Sequence, residues 1–107
     1  MKKRIIRHKY NNSKVQKDNI RFASKKEADY YEYLKERRDK GEVVFFLMQC
    51  PFHLPGGTKY IVDFIEFHSD GTVHFIDVKG FETDKFKLKK KWVESTYPVE
   101  VEVVKSW

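Results

Sequence analysis

Four side chains have the types and spacing of a divalent-metal site. Asp63, Asp77 and Lys79 lie in "YIVDFIEFHSDGTVHFIDVKG", and Glu27 lies in "SKKEADYYEYLKERRDKGE". Thirteen residues separate the two aspartates, and one residue separates Asp77 from the lysine. All three sit among isoleucine, valine and phenylalanine, in a stretch otherwise composed for burial. Carboxylates directly opposite one another destabilise a strand pair, and burial makes both charges costlier. A hard divalent cation relieves that repulsion, and Mg²⁺ characteristically takes one or two carboxylates while keeping several waters. Lys79, two residues beyond Asp77, falls on the same strand face.

Whether the two aspartates meet depends on the turn "SDG". A two-residue Asp70-Gly71 loop would set Asp63 against Val78 and put the aspartates on different faces. A three-residue loop, with Gly71 in the left-handed position, sets His68 against Thr72 and Asp63 directly opposite Asp77. The side-chain pattern favours the longer loop. It collects Ile61, Ile65, Phe67, Val73 and Phe75 on one face with Asp63, Asp77 and Lys79, and leaves Ile76 and Val78 on the other. The strand carrying Asp77 is therefore expected to be central and covered on both sides.

Other elements must position these groups. Ser24 and Glu27 form an S-x-x-E capping box and Gly41 supplies a stop, which predicts a helix from about Lys25 to Lys40. Ala28, Tyr31 and Leu34 mark its inward stripe, and Glu27 lies on the same stripe. Capping alone would explain Glu27, but its position also allows it to supply a third carboxylate. Before the helix, "KVQKDNIRFAS" suggests a hairpin turning at Asp18-Asn19. After it, "VVFFLMQCPFHL" reads as a strand, bulged or bent at Pro51, and whether its Gln49 belongs to the site is left open by the sequence. "FETDKFKLKKKWVEST" reads as a second helix from about Asp84, with Leu88, Trp92 and Val93 inward, and "VEVEVV" as a last strand. The whole is an α/β domain with a mixed β-sheet flanked by helices, in the order helix, three antiparallel strands, helix, strand.

The 107-residue length fits one domain with one modest core. Residues 1–13 are expected to form a mobile basic arm, and residues 14–107 the domain. A net charge of +6 and a pI near 9.4 favour a polyanionic partner, with nucleic acid ahead of a membrane surface. The mean hydropathy of -0.70 implies a wet surface. Cys50 is the single cysteine, which excludes an intrachain disulfide and suits a reducing cytoplasm. No apolar run approaches the roughly 20 residues of a membrane helix, and "MKKRIIRHKYNN" lacks the apolar stretch of a signal peptide, so no membrane association is expected. His8, His53, His68 and His74 lack zinc spacing, and no phosphate-binding glycine loop is present, so zinc and nucleotide cofactors are not expected.

Through "SKKEADYYEYL", "YIVDF", "DVKG" and "KLKKKW" the chain resembles the PD-(D/E)xK nuclease superfamily, and within it a group of small phage-encoded endonucleases. The resemblance spans Val15 to Val104. Val62 stands where the motif name has proline. The resemblance implies a restriction-endonuclease-like core and Mg²⁺-dependent hydrolysis of DNA phosphodiesters, with Mn²⁺ as substitute, leaving 5′-phosphate ends. Asp63 and Asp77 would hold the metal, the Val78 backbone carbonyl would add a ligand, and Glu27 would complete or orient the shell. Lys79 would be the catalytic lysine. Lys85, Lys87, Lys89, Lys90 and Lys91, with Arg4 and Arg7 of the arm, would contact the DNA backbone. A merely solvated helix face explains any single one of those lysines equally well. Branched recombination or replication intermediates are candidate substrates, and cutting two strands in concert would call for a homodimer. Two other readings compete: a non-catalytic nucleic-acid-binding protein that keeps the fold, and a small module that recruits or inhibits another protein.

Overall fold

The computed structural model describes residues 15–107. Strands β1 (Val15–Lys17) and β2 (Ile20–Phe22) form the expected hairpin. Asp18 and Asn19 both take positive φ, 51° and 66°, as a two-residue turn between right-twisted strands requires. Helix α1 (Lys25–Asp39) begins at Ser24, whose side chain accepts the Glu27 N–H at 3.1 Å. It ends where Gly41, at φ 85°, lets its own N–H reach the Arg38 carbonyl and the Glu42 N–H reach that of Arg37, a Schellman closure. Ala28, Tyr30, Tyr31 and Leu34 of α1 are buried. Truncating the fully buried Leu34 to alanine is expected to cost about 2–5 kcal/mol.

The main sheet has the order β3 (Val43–His53), β4 (Lys59–His68), β5 (Val73–Val78) and β6 (Val101–Val104). The first three strands are antiparallel, and β6 runs parallel to β5. Helix α2 (Asp84–Thr96) makes that parallel crossover. The β4–β5 register pairs Phe64 with Ile76, Ile65 with Phe75 and Phe67 with Val73. The His68 N–H bonds the Thr72 carbonyl, and Gly71 sits at φ 91°. This is the three-residue loop, and β5 is an interior strand.

Two apolar clusters sandwich the sheet. Phe64, Ile76 and Val78 pack with Ala28, Tyr31 and Leu34 of α1, while Ile65 and Val101 pack with Val93 of α2. Strict alternation fails at one level of the sheet. Phe46 and Met48 of β3 and Phe64 of β4 belong to the α1 side, yet Cys50, Phe52, Tyr60 and Val62 belong to the α2 side. The pairing itself stays in register from Met48–Phe64 to Cys50–Val62. Both strands therefore change sides at Gln49 and Asp63, and Gln49 takes a left-handed φ of 53° to do so. As a result Ile61, expected beside Ile65, is 48% exposed.

Two further expectations need correction. No bend falls at Pro51, which pairs with Ile61 inside a continuous β3. The strand lies at the sheet edge, where a missing N–H is tolerated. On α2, Leu88 and Trp92 point outward, at 66% and 37% exposure, and Val93 alone is buried. The helix seats instead through Phe86, Val93 and Tyr97.

Candidate functional site

The turnover at Gln49 and Asp63 and the end of the β4–β5 ladder fall at the same place, and the acids gather there. Beyond the Phe64–Ile76 pair, backbone pairing gives way to side chains. The Asp63 N–H donates to Asp77 Oδ1 at 2.9 Å, and the Val78 N–H donates to Asp63 Oδ2 at 3.0 Å. The Tyr60 hydroxyl donates to Asp77 Oδ2. Gln49 Nε2 donates to Glu27 Oε2 at 2.8 Å and reaches Asp63 Oδ1 at 3.4 Å. Glu27, the last residue of the S-x-x-E capping box, therefore turns its carboxylate toward β3 as well as toward the Ala23 backbone just before its N-cap. Of the four predicted catalytic residues, Glu27, Asp63 and Asp77 are brought together directly.

Lys79 stands close by. Its Nζ lies 4.6 Å above the Phe86 ring, and its charge favours the ionised forms of Glu27, Asp63 and Asp77. Among the described residues it makes no direct ion pair with any of them. Val78 contributes its N–H to Asp63. Lys89 reaches the Lys59 carbonyl at 3.5 Å and Lys90 pairs with Glu94 at 3.1 Å, while Lys85, Lys87 and Lys91 are exposed on α2. Arg4, Arg7 and the expected arm lie outside the described residues.

The acids repel one another where water is largely excluded from two of them, Asp63 being half-buried. Glu27 and Asp77 are 5% and 2% exposed. Burial, then the charges of Asp77 and Glu27, push Asp63 up to about 7. Burial also raises Glu27 and Asp77, against hydrogen bonds that favour their charged forms, from the Ala23 backbone to Glu27 and from Tyr60 to Asp77. The trio therefore takes up a proton more readily than free carboxylates do, and Tyr60 is held protonated by burial and by Asp77.

A second buried acid offers a contrast. Glu66, 1% exposed, receives the Tyr30 hydroxyl, an Arg37 ion pair at 3.2 Å and His68 Nε2 at 2.8 Å. That carboxylate is neutralised by the protein itself, whereas Glu27, Asp63 and Asp77 share one lysine at a distance. The donor set suits a hard cation, being carboxylate oxygens with spare lone pairs. Among the described residues, however, no three His, Cys, Asp or Glu side chains close around one point tightly enough to hold a metal. The Gln49 amide nitrogen occupies the gap between Glu27 and Asp63. Rotating that amide would replace a donor by a carbonyl oxygen, an acceptable ligand for such an ion.

A cavity of about 350 Å³ adjoins the acids, between the β1–β2 hairpin and β3, and Glu27 and Gln49 form part of its wall. Tyr60 was not foreseen as a site residue. Simple alternation puts it on the face away from Asp63 and Asp77, and only the turnover of β4 brings it to Asp77. The sequence does carry a signal for Glu66, an acid between Phe64 and Phe67 in the same apolar strand.

Residues 7–107 match the family described as "Protein of unknown function (DUF1064)", and the chain belongs to that family. Searches of curated proteins and of solved structures found no match. Among the described residues, no helix is long and apolar enough to cross a membrane.

Proposed function

We propose that this protein is a metal-dependent DNA endonuclease of the PD-(D/E)xK kind. The observation that carries the reading is the gathering of buried Glu27 and Asp77 around the half-buried Asp63, with no direct cationic partner among the described residues, beside Lys79 and near the basic helix α2. Asp63 and Asp77 would hold the ion, with Glu27 and the Val78 carbonyl completing its shell. A bound Mg²⁺, or Mn²⁺ in its place, would polarise the scissile phosphate and make hydroxide accessible near neutral pH. Tyr60 fixes the orientation of Asp77, and Gln49 spaces Glu27 from Asp63. The Lys79 ammonium would sit against the phosphate and offset its growing charge. The α2 lysines would hold the DNA backbone, with an affinity that falls as salt rises. Branched recombination or replication intermediates in the cytoplasm of a bacterial host are the proposed substrates, and a homodimer would place two sites for paired cuts.

A second reading is a non-catalytic DNA-binding protein on the same framework. It is favoured by the Gln49 amide, which already bridges Glu27 and Asp63 with its own N–H groups. Calorimetry separates the two. Heat from Mg²⁺ or Mn²⁺ in the native chain, absent in Asp77→Asn, supports the nuclease. Salt-sensitive DNA binding with no metal heat supports the alternative.

A further inference from the structure

Helix α2 carries two apolar stripes, and only one is packed. Phe86 and Val93, with Tyr97 just beyond the helix, seat it on the sheet. The second stripe faces solvent, where Lys85, Leu88, Lys89 and Trp92 are spaced i, i+3, i+4, i+7. Leu88 is 66% exposed and Trp92 37%, and Phe81, just before the helix, is 78% exposed. Lys87 and Lys91 flank it, and of the two acids between Phe81 and Lys85, Glu82 is paired with Lys105 at 3.0 Å and Asp84 sits in the first turn. Leucine and tryptophan left in water beside cations are unfavourable in an isolated helix, and their pairing suits a ligand that offers negative charge and flat apolar faces together. Unstacked nucleic-acid bases on a phosphate backbone have that chemistry, whereas continuous duplex offers phosphates with its base faces hidden.

The helix is also tied to the acid site. Phe86, on its packed stripe, lies beneath the Lys79 ammonium, and Lys89, on its outer stripe, bonds the carbonyl of Lys59, the residue before Tyr60. We propose that the outer face of α2 binds unstacked DNA bases through Trp92, Leu88 and Phe81, with the lysines on the adjoining phosphates. It would thereby direct the site to single-stranded or branched segments rather than to continuous duplex. The consequence for cleavage rests on the nuclease reading; the contact does not.

The test uses the full chain with Trp107→Phe, which leaves Trp92 as its one tryptophan, in buffer containing EDTA. An oligothymidine strand and a hairpin duplex with an equal number of phosphates are titrated against Trp92 fluorescence and, separately, by anisotropy of labelled DNA. The single strand is expected to quench Trp92 and to bind roughly 5-fold or more tighter than the duplex, the factor that stacking one base supplies. Adding Leu88→Gln, on a side chain too exposed to threaten the fold, is expected to remove most of that preference while leaving duplex binding in place. Unquenched Trp92 with undiminished DNA binding overturns the inference and leaves the nuclease reading standing. Concentration-dependent dimerisation that Leu88→Gln abolishes without affecting DNA binding also overturns it, in favour of a self-association surface. Absence of any DNA binding overturns the inference, and the nuclease reading is then judged separately by cleavage of branched DNA in Mg²⁺.

Discussion

Asp63 and Asp77 are joined across β4 and β5 by side chains where backbone pairing stops, the N–H of Asp63 donating to a carboxylate oxygen of Asp77 at 2.9 Å. The register that creates this contact depends on Gly71, at φ 91°. A Cβ there would meet no neighbouring atom, so Gly71→Ala tests backbone conformation alone. It is expected to destabilise by about 1–2 kcal/mol in urea unfolding while preserving metal heat. Deleting Gly71, which shortens the loop to two residues, is expected to abolish metal heat. Metal binding that survives the deletion would refute the dependence of the site on register.

The protonation of Asp63 predicts a pH dependence with a definite sign. Its pKa is raised from 3.8 to about 7 in the folded state, so between those values the folded chain holds a proton that the unfolded chain has released. Stability contributed by this group is therefore lost as pH rises from about 4 to about 7 and is flat above. The difference in unfolding free energy between native and Asp63→Asn chains, measured without metal, should show that fall. Metal binding should release a proton below pH 7 and strengthen with rising pH, which calorimetry in buffers of different ionisation heat detects.

Tyr60→Phe removes the hydroxyl donated to Asp77 and leaves the ring in place. Loss of a hydrogen bond to a buried carboxylate is expected to cost about 1–3 kcal/mol. Because that bond favours ionised Asp77, the onset of metal binding should also move to higher pH. Unchanged stability together with an unchanged metal-binding profile would remove Tyr60 from the site.

Gln49 combines a left-handed backbone with the amide that spaces Glu27 from Asp63. Gln49→Gly and Gln49→Ala both delete the amide, but only glycine adopts φ 53° freely. The glycine variant is expected to be more stable than the alanine variant by about 1 kcal/mol, and both are expected to bind metal more weakly than the native chain. Equal stability of the two would show that β3 does not hold its left-handed turn at this position.

Much of this was legible in the sequence. Ser24, Glu27 and Gly41 delimit α1 because caps are local chemistry, and the apolar alternation in β4 and β5 selects the three-residue loop that brings Asp63 to Asp77. Three features were not legible. The turnover at Gln49 and Asp63 inverts the parity of two strands without shifting their register, so Tyr60 and Ile61 exchange the roles that alternation predicts. Leu88 and Trp92 have the spacing of a core stripe, and only the seating of α2 through Phe86 and Val93 shows that they face out. The approach of Gln49 to Glu27 depends on α1 packing over β3, a tertiary contact with no local signature.

The central claim is that the carboxylates around Asp63 cut DNA with the help of a divalent ion. The direct measurement is single-turnover cleavage of a panel of branched, nicked and continuous DNAs in Mg²⁺, with native and Asp77→Asn chains whose folds are matched by circular dichroism. The account predicts Mg²⁺-dependent products bearing 5′-phosphates from the native chain, and from Asp77→Asn no more than the metal-free background. Equal cleavage by the two chains would contradict it.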